Sequence, residues 1–327
     1  MSIRVKIQSK NIGSIFVRLC LVFLLFSCVK EVKTPTYSGF EDLDEGNNKI
    51  AIIGDTQLTS HWEFWREVNE DKTTKLLEEI IRREPVFMIN LGDLVTRGSS
   101  MKHWEFFDKV HTSLIEHKIP LFPVLGNHNY YGDNRVALQN YFSRFRYLKN
   151  QKWYSFTFHN IGFLMLDSNH LELSAKEKES QLKWYQKKLQ EMDKDDKVKF
   201  IVVCCHHSPF TNSMVISPSE SVRENFVKYF KGCKKTAIFF TGHCHSYEKF
   251  RENGKYFIVS GGGGGPRHKV QTDKKKRKFN DLFDGPPLRF FHFCEMSIHP
   301  DKLVVDVIKL NEDSSFSNAD EIIFSAN

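Results

Sequence analysis

Five short stretches limit what this chain can fold into. Each is an apolar run that stops at residues able to bind a metal ion. They are Ile52-Ile53-Gly54-Asp55-Thr56-Gln57, Met88-Ile89-Asn90-Leu91-Gly92-Asp93, Pro123-Val124-Leu125-Gly126-Asn127-His128, Ile201-Val202-Val203-Cys204-Cys205-His206-His207 and Ala237-Ile238-Phe239-Phe240-Thr241-Gly242-His243-Cys244-His245. A short apolar run closed by a glycine or a polar cluster reads as a buried strand ending in a turn. A fold that serves all five must bring five strand ends to one place.

The segments between them carry helical spacing. Over 73–83, Leu76, Leu77, Ile80 and Ile81 share one face, with Glu78, Glu79, Arg82 and Arg83 opposite, and Pro85 stops the helix. A second helix over 103–117 has Trp104, Phe107, Val110 and Leu114 on its apolar face, a short one covers 136–145, and a charged one over 174–192 buries Leu182, Tyr185 and Leu189. Strands are expected at 49–53, 86–91, 121–125, 198–205, 236–241 and 255–260, a hairpin over 153–166, and closing strands at 288–299, 303–310 and 321–324. Strands alternating with helices predict an α/β body with partly parallel sheets; the hairpin-like segments make those sheets mixed. With 29 Phe in 327 residues, the core should be rich in aromatics.

The N-terminus has a different character. Residues 1–18 hold Arg4, Lys6, Lys10 and Arg18 with no acid, and Leu19–Phe26 is apolar before Ser27-Cys28. A basic start, a short apolar core and a small residue before a cut read as a secretory signal over 1–27. The apolar run is well under the ~20 residues of a spanning helix. Leu25-Phe26-Ser27-Cys28 also resembles a bacterial lipobox, with Cys28 as the lipid-bearing first residue of the mature chain and Phe26 where a small residue is usual. An ordinary signal peptide or an uncleaved anchor is the alternative. On the lipobox reading the protein is exported to the cell envelope and held to a membrane by a lipid anchor. Residues 28–48 then form a flexible tether and 49–327 the folded domain.

Charge and cysteines narrow the function. The formal net charge is +7, and about half of it lies in the leader. What remains does not argue for nucleic-acid binding. Lys269–Lys278 is locally basic and reads either as a solvated loop or as a rim attracting an anionic substrate or lipid surface. No C-x-x-C occurs among the seven cysteines, so a zinc ribbon or redox motif is not expected. Cys204, Cys205 and Cys244 read as small buried hydrophobes.

In open α/β sheets, ligands sit beyond the carboxyl ends of the strands. The five stretches place Asp, Asn and His there, donors that suit Mn, Fe or Zn. So many donors exceed what one small cation takes and fit two ions sharing a carboxylate, the arrangement used for in-line displacement at phosphorus. Taken singly, Asp55 and Asp93 could cap helices and His243 and His245 could be surface loop residues.

The order Gly54-Asp55, Gly92-Asp93, Gly126-Asn127-His128, His206-His207-Ser208-Pro209 and Gly242-His243-Cys244-His245 resembles the calcineurin-like metallophosphoesterase family, which includes the purple acid phosphatases. The resemblance spans about residues 50–265. It implies a β-sandwich of two mixed sheets flanked by helices, and hydrolysis of phosphate monoesters or diesters at a dinuclear centre with a metal-held hydroxide as nucleophile. By the same resemblance, Asp55 and His245 are ligands of the first ion and Asp93 bridges both. Asn127, His243 and a histidine of the fourth motif hold the second ion. His128 protonates the leaving group or steadies the transition state without binding metal.

The fourth motif offers adjacent histidines. Relatives often have the ligand two residues before a proline, so Pro209 selects His207 and leaves His206 to contact substrate or pack. Where many members have a histidine two residues after the first Asp, this chain has Gln57, whose carbonyl oxygen is a weaker donor. The second motif continues Leu94-Val95-Thr96 without a tyrosine, which argues against an Fe(III)–tyrosinate centre. Arg97 is placed to hold a phosphate oxygen or is an ordinary surface arginine. Asn129, Tyr130, Tyr131 and Asn134 follow His128 and are placed to line the pocket, Asn129 as a substrate contact; plain packing is the alternative for Tyr130 and Tyr131. The run Gly261–Gly265 lets backbone approach the site closely. A reading from another class is a surface-anchored binding protein on this scaffold with weakened catalysis, motivated by Gln57 and the anchor.

Overall fold

Strand alternation sets the layers. The computed structural model describes residues 34–326 apart from 45, 60–66 and 68. Among the described residues the strands are β1 (Lys49–Ile53), β2 (Phe87–Asn90), β3 (Leu121–Pro123), β4 (Tyr154–Phe158), β5 (Ile161–Met165), β6 (Phe200–Cys205), β7 (Thr236–Thr241), β8 (Tyr247–Glu252), β9 (Lys255–Ser260), β10 (His292–Ile298), β11 (Lys302–Leu310) and β12 (Phe316–Ser325). The helices are α1 (Glu70–Arg82), α2 (Met101–Glu116), α3 (Asn127–Tyr130), α4 (Asn134–Arg144), α5 (Ala175–Lys194) and a segment over 220–232, α6, that is π-helical at Arg223–Val227. The expected leader and Cys28 lie outside the described residues. No helix among the described residues is long and apolar enough to cross a membrane.

Two six-stranded sheets form, ordered β12-β11-β10-β1-β2-β3 and β4-β5-β6-β7-β9-β8. In the first, β1, β2 and β3 run parallel while β10–β12 return antiparallel. In the second, β5, β6, β7 and β9 run parallel between antiparallel β4 and β8. This is the expected sandwich of two mixed sheets flanked by helices.

Along β5 and β6, Phe163, Met165, Val202 and Cys204 enter the core shared by the two sheets. Their neighbours Leu164, Ile201, Val203 and Cys205 enter a second core with Tyr185 and Leu189 of α5 and Phe226 and Phe230 of α6. A period of two therefore buries both faces. Leu76, Leu77 and Ile80 of α1, with Trp104, Phe107 and Leu114 of α2, join the core containing the first sheet. Phenylalanines cross between the sheets: Phe156 stacks on Phe163 (4.8 Å) and Phe122 (4.5 Å), and Phe87 meets Phe122 edge-on at 5.2 Å. Cys204, Cys205, Cys233, Cys244 and Cys294 are buried free thiols, and burial raises the pKa of each.

Three expectations need correction. Residues 36–43 belong to the body and not to a tether, because Tyr37 is buried and bonded at both ends. Its N–H donates to the Arg144 carbonyl (3.0 Å) and its hydroxyl to Asp108 (3.3 Å), while Phe40 packs on Phe122 and Tyr147. The last strand covers Phe316–Ser325 because its polar residues pair with β11 along an exposed edge, hiding the apolar pattern. Strand β8, charged at Glu248, Lys249, Arg251 and Glu252, was not foreseen; its pairing with β9 holds it.

His111 of α2 is buried, donates Nδ1–H to the Phe107 carbonyl (2.9 Å), and has no partner for Nε2. Burial lowers its pKa to about 4. The unfolded chain thus takes up a proton near pH 6.5 that the folded chain refuses. This contribution is intact above that pH and is lost as pH falls toward 4. Relative to His111→Phe, the wild-type protein should lose about 2 kcal/mol of stability between pH 7 and pH 5. Urea unfolding of both proteins at the two pH values checks this, and a pH-independent difference would contradict it.

Candidate metal centre

The polar residues after β1, β2, β3, β6 and β7 meet because their loops bond to one another. Asp55 N–H donates to the Gly92 carbonyl (3.0 Å), Gly242 N–H to the His206 carbonyl (3.0 Å) and Gly265 N–H to the Asp55 carbonyl (2.7 Å). The turns are tight enough that Asp55, Asp93 and His243 all hold positive φ, at 60°, 52° and 67°. Non-glycine residues rarely sit there, and such strain is typical of over-determined functional sites. Gly92, at φ 96°, makes the sharpest turn, where a Cβ would meet the His206 ring at 2.7 Å. At Gly261 a Cβ would meet Asp55 Oδ2 at 2.7 Å, so this end of the glycine run does bring backbone against the site.

Three imidazoles are oriented the same way. His206 Nδ1 lies 2.9 Å from the Leu91 carbonyl, His245 Nδ1 2.8 Å from the Pro266 carbonyl, and His128 Nδ1 2.7 Å from the Thr96 carbonyl. A carbonyl oxygen only accepts, so each Nδ1 carries a proton, and the neutral form of each ring turns an Nε2 lone pair toward the centre. His206 Nε2 lies 3.2 Å from Asp93 Oδ2, 3.1 Å from Asn127 Oδ1 and 3.1 Å from His243 Nδ1. His245 Nε2 lies 3.4 Å from Asp55 Oδ1. His128 Nε2 stands 4.0 Å from Asp93 Oδ2.

Gln57 completes the second gathering. The amide orientation that satisfies its nitrogen has that nitrogen donating to the Asp93 carbonyl (3.0 Å) and the Asp55 carbonyl (3.2 Å). Its oxygen then faces His245 Nε2 at 3.2 Å. Acceptors facing acceptors call for a cation between them. Ligands about 2.1 Å from one ion at tetrahedral or octahedral angles are about 3.0–3.4 Å apart, which these separations match. Donor atoms of Asp55, Asp93 and His245 form one group within 4.8 Å, and those of His206, His207 and His243 form another.

The calcineurin-like phosphoesterase family model matches residues 48–247. The chain belongs to this family. The family model is that of phosphoesterases, and two groups of donor side chains stand ready to hold metal ions. No curated protein sequence matches it. Among solved structures, the purple acid phosphatase PPD1 of yellow lupin (Lupinus luteus) seeds superposes with a TM-score of 0.62 at 16% identity over 85% of this chain and 53% of the lupin one. This chain thus spans about half the lupin enzyme's length. A dimetal phosphatase from Danio rerio gives 0.59 at 14% identity over 86% and 99% of the two chains. The PhoD structure gives 0.58 at 9% identity over 89% and 71%. At such identities the likeness is one of fold.

The buried carboxylates and imidazoles of this centre shift one another. Burial raises the pKa of Asp55, opposed by His245. Burial also works against ionised Asp93, but the charges of His206 and His128 outweigh it and hold the carboxyl well below the usual range. Burial works against a charged His206, yet Asp93 pushes it up to about 9. His207 is lowered to about 3 by burial and by His206, and His243 is lowered for the same reasons.

Two sequence expectations change. His206, not His207, lies in the ring of Asp93, Asn127 and His243. Cys205 is still in β6, so the next side chain points back toward β2, and His207 points the other way, where its Nδ1 bonds Ser168 Oγ at 2.9 Å. A ring nitrogen of His207 still lies within 4.8 Å of the histidine cluster, and the residue is half-buried. Asn129 does not line a pocket: it is fully buried, and its Oδ1 accepts from Asp93 N–H (3.0 Å) and Gly126 N–H (2.9 Å), positioning both turns. Tyr130 is likewise buried, its hydroxyl on Asp167 at 2.5 Å. Tyr131 is the exposed one. Its ring lies 4.3 Å from that of His128 and its hydroxyl receives Asn127 Nδ2–H at 3.1 Å, leaving the Asn127 oxygen for the centre. Arg97 is exposed nearby, its Nε donating to Ser99 Oγ at 3.3 Å.

His268 was not singled out in the sequence. Its ring stacks on His245 (4.3 Å, 10°), its N–H donates to the His245 carbonyl (2.9 Å), and its Nδ1 accepts from His245 N–H (3.3 Å). A lone histidine past a glycine run carries no pattern that would reveal this. Because an amide oxygen is the weaker donor, Gln57→His should tighten the more weakly held metal by about tenfold or more. Calorimetric titration of the metal-stripped protein measures it, and unchanged affinity would contradict the assignment of Gln57 to that site.

Proposed function

We propose that the protein hydrolyses phosphate monoesters or diesters, with Asp55, Gln57, Asp93 and His245 holding one ion and Asp93, Asn127, His206 and His243 the other. The observation that carries this is the ring of imidazole and carboxylate acceptors on both sides of Asp93, with His206 and His245 each fixed by a carbonyl behind it. Two divalent ions, when bound, supply Lewis acidity toward phosphoryl oxygens and acidify water. Mn, Fe and Zn all suit the donor set.

The chain's own groups do the rest. His128 stays off the ions and is held by the Thr96 carbonyl, so that its Nε2 can exchange a proton with the leaving oxygen. Its N–H donates to Asp93 Oδ1 (2.8 Å), which fixes that carboxylate for both ions. Tyr131 and Arg97, exposed beside His128, and the outward-facing His207 are the side chains we assign to substrate contact. We further propose that residues 1–27 direct export and that Cys28 carries lipid. In cells, Cys28→Ser should let high salt wash the protein out of the membrane fraction, in which the lipid-bearing chain stays.

The test is metal analysis and turnover on the same sample, across generic phosphomonoesters and phosphodiesters. Asp93→Ala and His206→Ala should lose bound metal and activity. His207→Ala should keep its metal. His128→Ala should keep its metal while kcat falls by about 10²–10⁴. Metal-loaded protein without turnover on any phosphate ester would overturn the reading, and metal loss in His207→Ala with retention in His206→Ala would reverse the ligand assignment.

A further inference from the structure

Two loops leaving the metal centre carry a surface that hydrolysis does not use. Residues 211–219 contain no charged residue. Within them Met214 and Val215 are 65% and 60% exposed, and Leu282 and Leu288 are exposed as well. The other loop begins at Lys269, next to His268, and exposes Lys269, Lys274, Lys275, Lys276 and Lys278. Residues 267–288 hold seven Lys or Arg against three Asp. Among the described residues only Lys276 of those five lysines pairs with a carboxylate, Asp273 at 3.6 Å.

The two loops are built as one unit. Ser213 bridges to Val270 and Lys269 to Leu288, and Met214 N–H donates to the Lys269 carbonyl at 2.8 Å. Asn212 grips both ends of the lysine turn. Its carbonyl accepts from Gln271 N–H (2.8 Å), its Oδ1 accepts from Phe279 N–H (2.9 Å), and its Nδ2 donates to the Phe279 carbonyl (3.0 Å). Beneath it, Asn212 N–H donates to buried Glu248 (2.7 Å) and Phe279 packs on Phe210 (5.2 Å). Asp273 closes the turn by accepting from Lys275 N–H at 2.9 Å. The lysines and the apolar pair therefore face solvent from one fixed platform.

We propose that this platform docks the protein on an anionic lipid bilayer, with the lysines on the headgroups and Met214 and Val215 in the interface beneath them. Lysines alone would bind any polyanion. Exposed methionine and valine beside them, in a stretch free of charge, gain only where apolar and anionic groups lie in one plane, and a membrane surface provides that. A nucleic-acid backbone would give the apolar pair nothing. Docking needs neither metal nor turnover, so it stands apart from the hydrolytic reading.

The experiment uses residues 36–327, which contain both sheets, both cores and the compact unit they form, and lack Cys28. Sedimentation with phosphatidylcholine vesicles, with and without phosphatidylserine, should show binding to the anionic vesicles that weakens as salt rises. Reversing three charges together (Lys274→Glu, Lys275→Glu, Lys276→Glu) should reduce partitioning on the order of a hundredfold. Met214→Ser with Val215→Ser should weaken it at every salt concentration. Emission from Met214→Trp should shift to the blue on anionic vesicles, which decides the matter even if the charge-reversed variant folds poorly. Equal binding to neutral vesicles, binding unchanged by charge reversal, an unshifted tryptophan, or capture of oligonucleotides without vesicle binding would each overturn the proposal.

Discussion

Acceptors that face acceptors organise this molecule. His206 Nε2 and His245 Nε2 lie 3.2 and 3.4 Å from the carboxylates of Asp93 and Asp55, and the Asn127 oxygen, His243 Nδ1 and the Gln57 oxygen lie 3.1–3.2 Å from those same two imidazoles. Four of them are locked from behind, His206 and His245 by carbonyls of Leu91 and Pro266 and the amides by Tyr131 and by the carbonyls of Asp55 and Asp93. Such outer partners set ring orientation and ligand basicity. The cost is three residues in left-handed backbone, of order 1–3 kcal/mol each. The two-sided burial of β5, β6 and β7 and the inter-sheet phenylalanines supply the rigidity that holds them there.

Much of this was legible in the sequence because parallel strands buried on both faces are continuous apolar runs. Ile201–Cys205 and Ala237–Thr241 could hardly be anything else, and the residues just after such a run lie at the sheet's carboxyl edge. The two donor groups were therefore readable as a set. Individual orientations were not. His206 and His207 differ only in which way a strand end points; the count back from Pro209 selects His207, whereas the end of β6 turns His206 toward Asp93 and Asn127 and leaves His207 beside it in the histidine cluster. Asn129 comes directly after the third motif and looked like pocket lining, yet a side chain that can accept from two turn N–H groups is worth more inside. Tyr37 was lost in a polar N-terminal stretch: its partners Asp108 and Arg144 are 71 and 107 positions away, and no local pattern encodes such pairing.

The replacement of an imidazole by Gln57 reads differently once its nitrogen is placed. A histidine there could use one ring nitrogen for the ion and the other for a single carbonyl. The glutamine amide donates twice, to the carbonyls of Asp55 and Asp93, and so ties together the two turns whose positive φ values need support. The exchange weakens a donor and strengthens the backbone that carries the carboxylates. Structural tightening and metal affinity are traded against each other at one position.

Charge balance extends the same argument to substrate. If the imidazoles and amides are neutral, Asp55 and Asp93 are the only negative ligands for two divalent ions, so the loaded centre remains positive. A phosphoryl group brings the compensating charge, and an arginine clamp is not needed for it. Arg97, just after the second motif, stands at the rim with its Nε on Ser99. On the proposed reading, Arg97 shares the mouth with two neutral groups: the Tyr131 ring beside His128, and His207, whose pKa burial lowers to about 3, which keeps it uncharged at neutral pH. Under that proposal the metals draw the anion, and the shape of the leaving group is read by Tyr131 and His207 beside the one charged rim residue, Arg97.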